Sequence, residues 1–397
     1  GQAFKLLDID FSILDMELKT MSHYDENIIE AKKGYESEKR NIELPKLKKP
    51  RDMKIMSGNE AICLGAIESG IEFYYAYPMT PSTGLLFELV SKESKYKHVT
   101  VQLESEIAVV NAAIGSAITG AKTMLGTSGG GFDLMTEGLS LAGGAGIPLV
   151  MYLAQRPGPA TGAATHTSQG DLNMARHSGH GEFSRVVVAP GDTIDATEKC
   201  SQLFYLSQKY KIPTILLGDK HLADSYFTFL EKPKIIKSKK SIKWPSRFSS
   251  YELDSNKNTS EKEADIIKSV ESRKENGRKI AIEVEKLVPF KIYGKKNSKN
   301  IVIGWGSTKG AIIDAIKELD CKYLQILYIE PFSKKVKGEL EKAKNLIIVE
   351  NNANSLLSGL ISEKTGIFIE EKNKILKYDG RPFFLDSLIN EIKKRLK

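Results

Sequence analysis

The chain has few cysteines. Cys63, Cys200 and Cys321 stand far apart in 397 residues, and no two form a C-x-x-C pair. That excludes a cysteine-held iron–sulfur cluster or structural zinc within this sequence. It also fits a reducing compartment, so a cytoplasmic location is expected. Long apolar runs are missing as well. None reaches membrane-spanning length, and no secretory signal opens the sequence, so no membrane partner is expected. Gly1 stands where a Met would, as expected of a processed, trimmed or internally cleaved product. The basic runs lack interleaved aromatics, so nucleic acid is not an expected partner despite the net charge of +8. The excess lysine reads as solvated surface, or as attraction for an acidic partner or an anionic cofactor. His166, His177 and His180 lie close together but lack a supporting set of carboxylates or cysteines, so no metal is expected on this chain.

What is present is alternation. Residues 1–50 are highly charged and end in Leu44-Pro45-Lys46-Leu47-Lys48-Lys49-Pro50. A short helix is expected from Phe11 to Met21, and the rest reads as an arm or linker. Ser57-Gly58-Asn59-Glu60 has capping-box spacing and opens a helix to Ser69. Strand and helix signals then alternate up to about residue 230, which predicts a mostly parallel sheet with helices on both faces. Residues 231–290 turn lysine- and serine-rich, with Pro233 and Pro245, and then charged and helical. They read as a linker and bridging helix. A second, smaller alternation fills 291–397. The expected organisation is therefore an arm at 1–50, an α/β domain at 51–230, a linker and a C-terminal α/β domain.

Two stretches organise the larger domain. Tyr77-Pro78-Met79-Thr80-Pro81-Ser82-Thr83-Gly84 follows a strand read as Ile71–Tyr77, and a helix is expected to start near Pro81 with Thr80 as its cap. A helix start at a strand's carboxyl end is a ready anion site. Gln102-Leu103-Glu104-Ser105-Glu106-Ile107-Ala108 puts Glu106 at the head of a helix of small and apolar residues. A carboxylate with so few polar neighbours lends itself to catalytic use. Arg156 stands at another strand's carboxyl end, where its guanidinium can fork onto a carboxylate.

Several glycine-rich stretches invite other readings. Gly115 to Thr123 resembles a phosphate loop, but Ala121 separates glycine from Lys122 and the context is reversed; its small residues are expected to let the helix pack closely. Gly304-Trp305-Gly306-Ser307-Thr308-Lys309-Gly310 misses the dinucleotide spacing by one residue and reads as a tight turn. Gly126-Thr127-Ser128-Gly129-Gly130 matches G-x-S-x-G between a strand and a helix. It offers an alternative function: a serine hydrolase using Ser128, with Asp171, His180, Asp219 and His221 as triad partners. A glycine-rich turn lining a site is the competing reading, because Gly131 extends the run beyond what an elbow needs.

From Met53 onward the sequence resembles the α subunit of 2-oxoacid:ferredoxin oxidoreductases, especially the 2-oxoglutarate or broad 2-oxoacid branch. The resemblance rests, in order, on Gly58-Asn59-Glu60-Ala61, Tyr77-Pro78-Met79-Thr80-Pro81-Ser82, Glu104-Ser105-Glu106-Ile107-Ala108, Thr127-Ser128-Gly129, Gln155-Arg156, Gln169-Gly170-Asp171-Leu172-Asn173 and Gly179-His180-Gly181. Met79 stands where the family usually has Ile, Thr83 where it usually has Ser, and Gly130 where Pro is common. None of these removes a functional group.

The resemblance implies a thiamine-diphosphate pyrimidine-type doubly wound domain followed by a smaller transketolase-like α/β domain, with 1–50 as an arm or the remnant linker of a fused γ-type domain. It implies oxidative decarboxylation of a 2-oxoacid to acyl-CoA, with electrons passed to ferredoxin. By resemblance, Glu106 bonds the aminopyrimidine ring, Ser128 and Gly129 line the cofactor, and Thr80 and Arg156 hold the substrate carboxylate. The family's Gly-Asp-Gly signature for the diphosphate and magnesium is absent, since no Gly-Asp pair here has glycine next. Mg2+, the [4Fe-4S] cluster and CoA are therefore expected mainly on a β subunit, and this chain is half of an active site. A third reading, a scaffold relative without turnover, sits poorly with the retained Thr80, Glu106 and Arg156.

Overall fold

The structure, a computed structural model, describes residues 1–42, 53–243 and 248–396. The expected linker at 44–50 and Pro245 lie outside the described residues. The chain divides into two compact units, Gly1–Met53 and Lys54–Lys397.

The first unit is helical: α1 (Gln2–Leu6), α2 (Phe11–Leu18) and α3 (Tyr24–Glu36). The helix expected from Phe11 to Met21 ends three residues early, and the supposed arm carries two further helices. Charge density hid α3. Its Asp25 and Glu26 sit in the first turn and Lys33 in the last, a distribution that suits the helix dipole. Phe11 and Tyr35 meet edge to face at 5.1 Å.

The second unit begins with β1 (Lys54–Ser57), α4 (Gly58–Glu68), β2 (Phe73–Ala76), α5 (Thr83–Tyr96), β3 (Val99–Gln102) and α6 (Glu106–Ile118). It continues through β4 (Thr123–Thr127), α7 (Gly129–Leu134), α8 (Thr136–Ala145), β5 (Leu149–Gln155), α9 (Leu172–His177), β6 (Val186–Val188), α10 (Thr193–Tyr210) and β7 (Pro213–Asp219). Next come α11 (Lys220–Asp224), β8 (Tyr226–Phe229) and the long α12 (Glu263–Val284). The remainder is β9 (Phe290–Gly294), β10 (Asn300–Trp305), α13 (Lys309–Lys317), β11 (Lys322–Ile326), β12 (Tyr328–Glu330), α14 (Lys335–Leu340), β13 (Asn345–Glu350), α15 (Leu356–Thr365), β14 (Lys374–Leu376) and α16 (Leu385–Arg395).

Among the described residues, one sheet has the order β12-β6-β7-β5-β4-β2-β3, parallel except for β12, which runs antiparallel to β6. A second has the order β14-β13-β10-β11-β9, parallel except for β9. β1 and β8 form a small antiparallel ribbon. Alternate residues of the larger sheet face opposite cores. Tyr75, Leu125, Met151 and Leu153 pack with α6 and α8, while Tyr74, Met124, Val150 and Tyr152 pack with α4 and α10. The first of these cores runs on through Ile301, Ile303, Trp305 and Leu324 of the second sheet. The two sheets thus share apolar packing.

Sequence and structure agree on the alternation and on the capping box. Ser57 Oγ accepts the Glu60 N–H at 3.2 Å, and Glu60 Oε2 accepts the Ser57 N–H at 2.6 Å. Gly304 to Gly310 is a tight turn as expected, with Gly306 at φ +56°. One expectation fails. The helix after Thr80 begins at Thr83, with Pro81 and Ser82 in a turn, so Thr80 is not its cap. The helix of small residues does pack closely: Ala113 and Ala117 are buried in the core and Gly138 of α8 approaches Val110, while Gly115 itself faces open space.

Buried charge joins α10 to the second sheet. Asp195 is fully buried and accepts from Lys309 Nζ (2.8 Å), Lys291 Nζ (2.6 Å) and Gln325 Nε2 (2.8 Å). Lys309 also pairs with Asp192. Burial opposes ionisation of Asp195, but the Lys309 and Lys291 ammoniums outweigh it and hold the carboxyl well below the usual range. Stability from this group is therefore full above pH 3.8 and is lost as the pH falls below it. Asp195→Asn leaves the buried Lys309 and the half-buried Lys291 ammoniums underpaired. It should cost about 3–5 kcal/mol in urea unfolding at pH 7. The parent should also lose stability more steeply than the variant on acidification below pH 3.8. Near-parent stability at pH 7 would show that the cluster contributes little.

Candidate active site

The expected site residues converge because β2 lies between β3 and β4. Ala76 is registered against both Gln102 and Gly126, so the loops leaving these three strands emerge side by side. Helix α6 starts at the end of one of them. Ser105 caps it, its hydroxyl accepting the Ala108 N–H at 3.3 Å. Glu106 follows as the first helical residue and is only 4% exposed. Its Oε1 is buried and has no hydrogen-bond partner among the described residues.

The carboxylate lies against the glycine-rich turn that opens α7. A Cβ added at Gly131 would stand 2.7 Å from Glu106 Oε1 and would also collide with Thr127 Oγ1. The extended glycine run is thus a close-approach requirement: a side chain at 131 would displace the glutamate. Ser128 precedes α7, is fully buried, and its Oγ also lacks a partner. Two unpartnered polar atoms therefore sit on the flanks of this turn. Burying them without partners is costly, and a ligand offering a donor and an acceptor would satisfy both.

Arg156 follows β5, as expected, and its Nη1 donates to the Thr80 carbonyl at 2.7 Å. The backbone of Thr80 thus holds the guanidinium, which leaves other N–H groups for a ligand. A cleft of ≈ 350 Å³ opens beside it, lined by residues that include Arg156, Thr167, Asp171, Asn352 and Tyr378.

The loop after Arg156 is tied down by glutamines. Gln155 Nε2 donates to the Gly218 carbonyl at 3.0 Å, and Gln155 Oε1 accepts the Asp171 N–H at 2.9 Å. Gln169 bonds outward to the second sheet. Its Nε2 donates to Trp305 O (2.9 Å), its Oε1 accepts Asn351 N–H (2.9 Å), and its own N–H donates to Asn351 O (2.8 Å). This places Asp171 beside Gly129, where an added Cβ would lie 3.0 Å from Asp171 Oδ2. That oxygen is buried and unpartnered too. Burial, aided by the Asp133 carboxylate, pushes the acid up to about 6 against the pull of Arg156. Asp171 is the member of the site that motif reading left without a role in cofactor or substrate binding. Its signal was the Gln-Gly-Asp run in a loop at the carboxyl end of a strand.

The hydrolase constellation does not assemble. Ser128 Oγ has no imidazole within hydrogen-bond reach. His221 Nδ1 pairs with Ser225 Oγ at 3.0 Å, and Asp219 Oδ1 caps α11 by accepting the Leu222 N–H at 2.9 Å. The backbone N–H of His180 donates to Ser140. A triad needs nucleophile, base and orienting acid in contact.

Comparison with known proteins identifies the family. Residues 64–289 match the family described as pyruvate flavodoxin/ferredoxin oxidoreductase, thiamine diP-bdg. The chain is 32% identical to 2-oxoacid:ferredoxin oxidoreductase 1, subunit alpha, of Sulfurisphaera tokodaii, across 100% of this chain and 70% of that protein. It is 33% identical to the corresponding subunit of Saccharolobus solfataricus, across 88% of this chain and 63% of that protein. The solved 2-oxoglutarate:ferredoxin oxidoreductase from Magnetococcus marinus, with 2-oxoglutarate, coenzyme A and succinyl-CoA bound, superposes with a TM-score of 0.87. The identity is 26%, covering 100% of this chain and 76% of that one. A split-gene transketolase shares the fold alone, with a TM-score of 0.52 at 12% identity. On these matches, the chain belongs to the family of 2-oxoacid:ferredoxin oxidoreductase α subunits.

Proposed function

We propose that this chain works with a β subunit to oxidise a 2-oxoacid to its acyl-CoA, with ferredoxin as electron acceptor, and that it supplies the pyrimidine-binding half of a shared thiamine diphosphate site. The observation that carries this reading is the buried, unpartnered Glu106 Oε1 against Gly131, with the unpartnered Ser128 Oγ on the same turn. These atoms fit an aminopyrimidine ring, whose edge offers both donors and acceptors. When bound, the cofactor supplies an electron sink for decarboxylation.

Glu106 is the residue to hold a ring nitrogen and share a proton with it at Oε1. Ser128 and the backbone of Gly129 line the same edge. Arg156 is the group to bind the substrate carboxylate, and the Thr80 carbonyl orients it. Magnesium, the iron–sulfur cluster and most contacts to coenzyme A belong to the β subunit in this reading. Coenzyme A as acyl acceptor is supported by its presence in the Magnetococcus marinus relative. Residues 51–230 serve as the pyrimidine-binding domain, 231–290 as linker and bridging helix, and 291–397 as the transketolase-like domain. Residues 1–50 serve as an arm or the remnant linker of a γ-type domain, supported by the separate compact unit there. A cytoplasmic location is supported by three unpaired cysteines. Among the described residues no helix is long and apolar enough to cross a membrane.

The test is reconstitution. Coenzyme A-dependent viologen reduction with 2-oxoglutarate or pyruvate should require both subunits, and robust turnover by this chain alone would refute the division of labour. In the reconstituted enzyme, Glu106→Gln should lower kcat by ~10²–10⁴-fold with KM near the parent value. Arg156→Ala should raise KM, by about 10–100-fold for one charge-assisted fork. Thr80→Ala keeps the carbonyl that holds Arg156 and should be milder. Equal losses of melting temperature and turnover in the Glu106 and Arg156 variants would mark both as structural.

Asp171 supplies a pH signature. Its pKa of about 6 in the folded chain lies above the ordinary 3.8, so ionising it costs folded-state stability. That cost is absent below pH 3.8 and complete above about pH 6. Asp171→Asn removes it. The melting temperature of the variant should therefore rise relative to the parent between those two limits and then hold a constant lead. A pH-independent difference would contradict the assignment.

A further inference from the structure

A second cavity, of ≈ 380 Å³, opens away from this site, among residues of α9, α12 and α15 and the loop before β6. Arg176, Phe183, Arg185, Glu330, Glu363 and Lys364 contribute to its wall. Arg185 is 8% exposed, and its Nη1 has no hydrogen-bond partner among the described residues. Its guanidinium lies 4.4 Å from the centre of the Phe183 ring. This cation–π contact brings no counter-charge of its own.

The neighbouring acids are already engaged. Arg176 Nη2 donates to both oxygens of Glu363 at 2.9 Å. Glu330 Oε2 lies 3.8 Å from Arg176 Nε and 3.8 Å from Lys364 Nζ, and Lys364 also pairs with Glu363 at 3.0 Å. Three cations (Arg176, Arg185, Lys364) thus face two anions (Glu330, Glu363), which leaves one positive charge over. His177, also on the wall, is held towards its neutral form by burial and then by Arg176. Burial likewise lowers Arg185 to about 10 despite Glu330 nearby. A buried cation whose nearby carboxylate is shared with Arg176 and Lys364, and whose Nη1 has no hydrogen-bond partner, is a costly arrangement that an anion would relieve.

We propose that this cavity binds the carboxylate of a small organic acid, with Arg185 as its ion partner. A guanidinium fork matches the two oxygens of a carboxylate. One spare positive charge matches a monoanion, while Glu330 and Glu363 on the wall disfavour a second negative charge. Phe183 and Ile280, also lining the cavity, offer apolar contact for the carbon end of such an acid. The site is independent of the thiamine diphosphate reading, because none of its residues belongs to that cleft.

Acetate is the probe. Binding to the full chain is followed by saturation-transfer NMR and by melting temperature, at ionic strength held constant with chloride. Saturable binding should appear in the parent and persist in Arg156→Ala, which disables the cleft instead. Arg185→Met should abolish it. Without acetate that variant should melt no lower than the parent, since it removes an unpartnered buried charge. Arg185→Lys, which keeps a cation but loses the fork, should weaken the acetate Kd about tenfold; it decides the matter if the Met variant does not fold. No saturable binding to the parent would overturn the proposal. So would unchanged binding in both Arg185 variants, loss in Arg156→Ala alone, or phosphate binding more tightly than acetate.

Discussion

Asp195 is the charge on which the arrangement of the second unit turns. It is fully buried on α10, and its carboxylate collects Lys309 from α13, Lys291 from β9 and Gln325 from β11. It even accepts the N–H of Gly191, at 3.3 Å. Apolar contact between the sheets is not directional, and many sliding arrangements would bury similar area. A charge cluster of this kind admits few geometries. Lys199 adds a second tie from the same helix, donating to the carbonyls of Leu287 (2.8 Å) and Val288 (3.1 Å) ahead of β9. With the sheets locked, Gln169 can bridge from the loop after β5 to Trp305 and Asn351. That bridge fixes the loop carrying Asp171 beside Gly129. The chain of dependence therefore runs from a buried ion cluster to the shape of the cleft.

The site itself follows a different rule, which is close approach. Glu106 packs against the first turn of α7 only because residue 131 has no Cβ. The result is a carboxylate oxygen, a hydroxyl and a second carboxylate oxygen, all buried and all unpartnered, around one turn. Proteins rarely leave such groups unsatisfied without use for them. Three such atoms gathered around one turn are an arrangement that a bound ligand would satisfy.

Much of this was legible in the sequence, and the failures have physical causes. Alternating strand and helix signals gave the layered α/β class, because buried parallel strands such as Leu149–Gln155 read as apolar runs. Glu106, Ser128 and Arg156 each lie just past a strand's end, as the sequence reading expected, which is where such sheets bind ligands; the roles expected of them came from the family resemblance. The helix Tyr24–Glu36 within the expected arm escaped the reading because it is too charged to look like a packed helix, and none of its residues is buried. Strands β9, β12 and β14 carry little local signal because they are short and all three lie at sheet edges; tertiary pairing rather than local pattern makes them. Asp171 showed in the sequence as part of a motif but without a binding role, and Arg185 did not show at all. What distinguishes them is the lack of a partner in three dimensions, which no spacing along the chain records.

The central claim is that Glu106 faces the aminopyrimidine ring of thiamine diphosphate. The most direct measurement is a structure of this chain with its β subunit and the cofactor bound. The account predicts Glu106 Oε1 within hydrogen-bond distance, roughly 2.6–3.2 Å, of a pyrimidine ring nitrogen, with Ser128 and Gly129 along the same edge. A cofactor bound with that nitrogen facing any other residue, or with Glu106 turned into a protein-only ion pair, would contradict it.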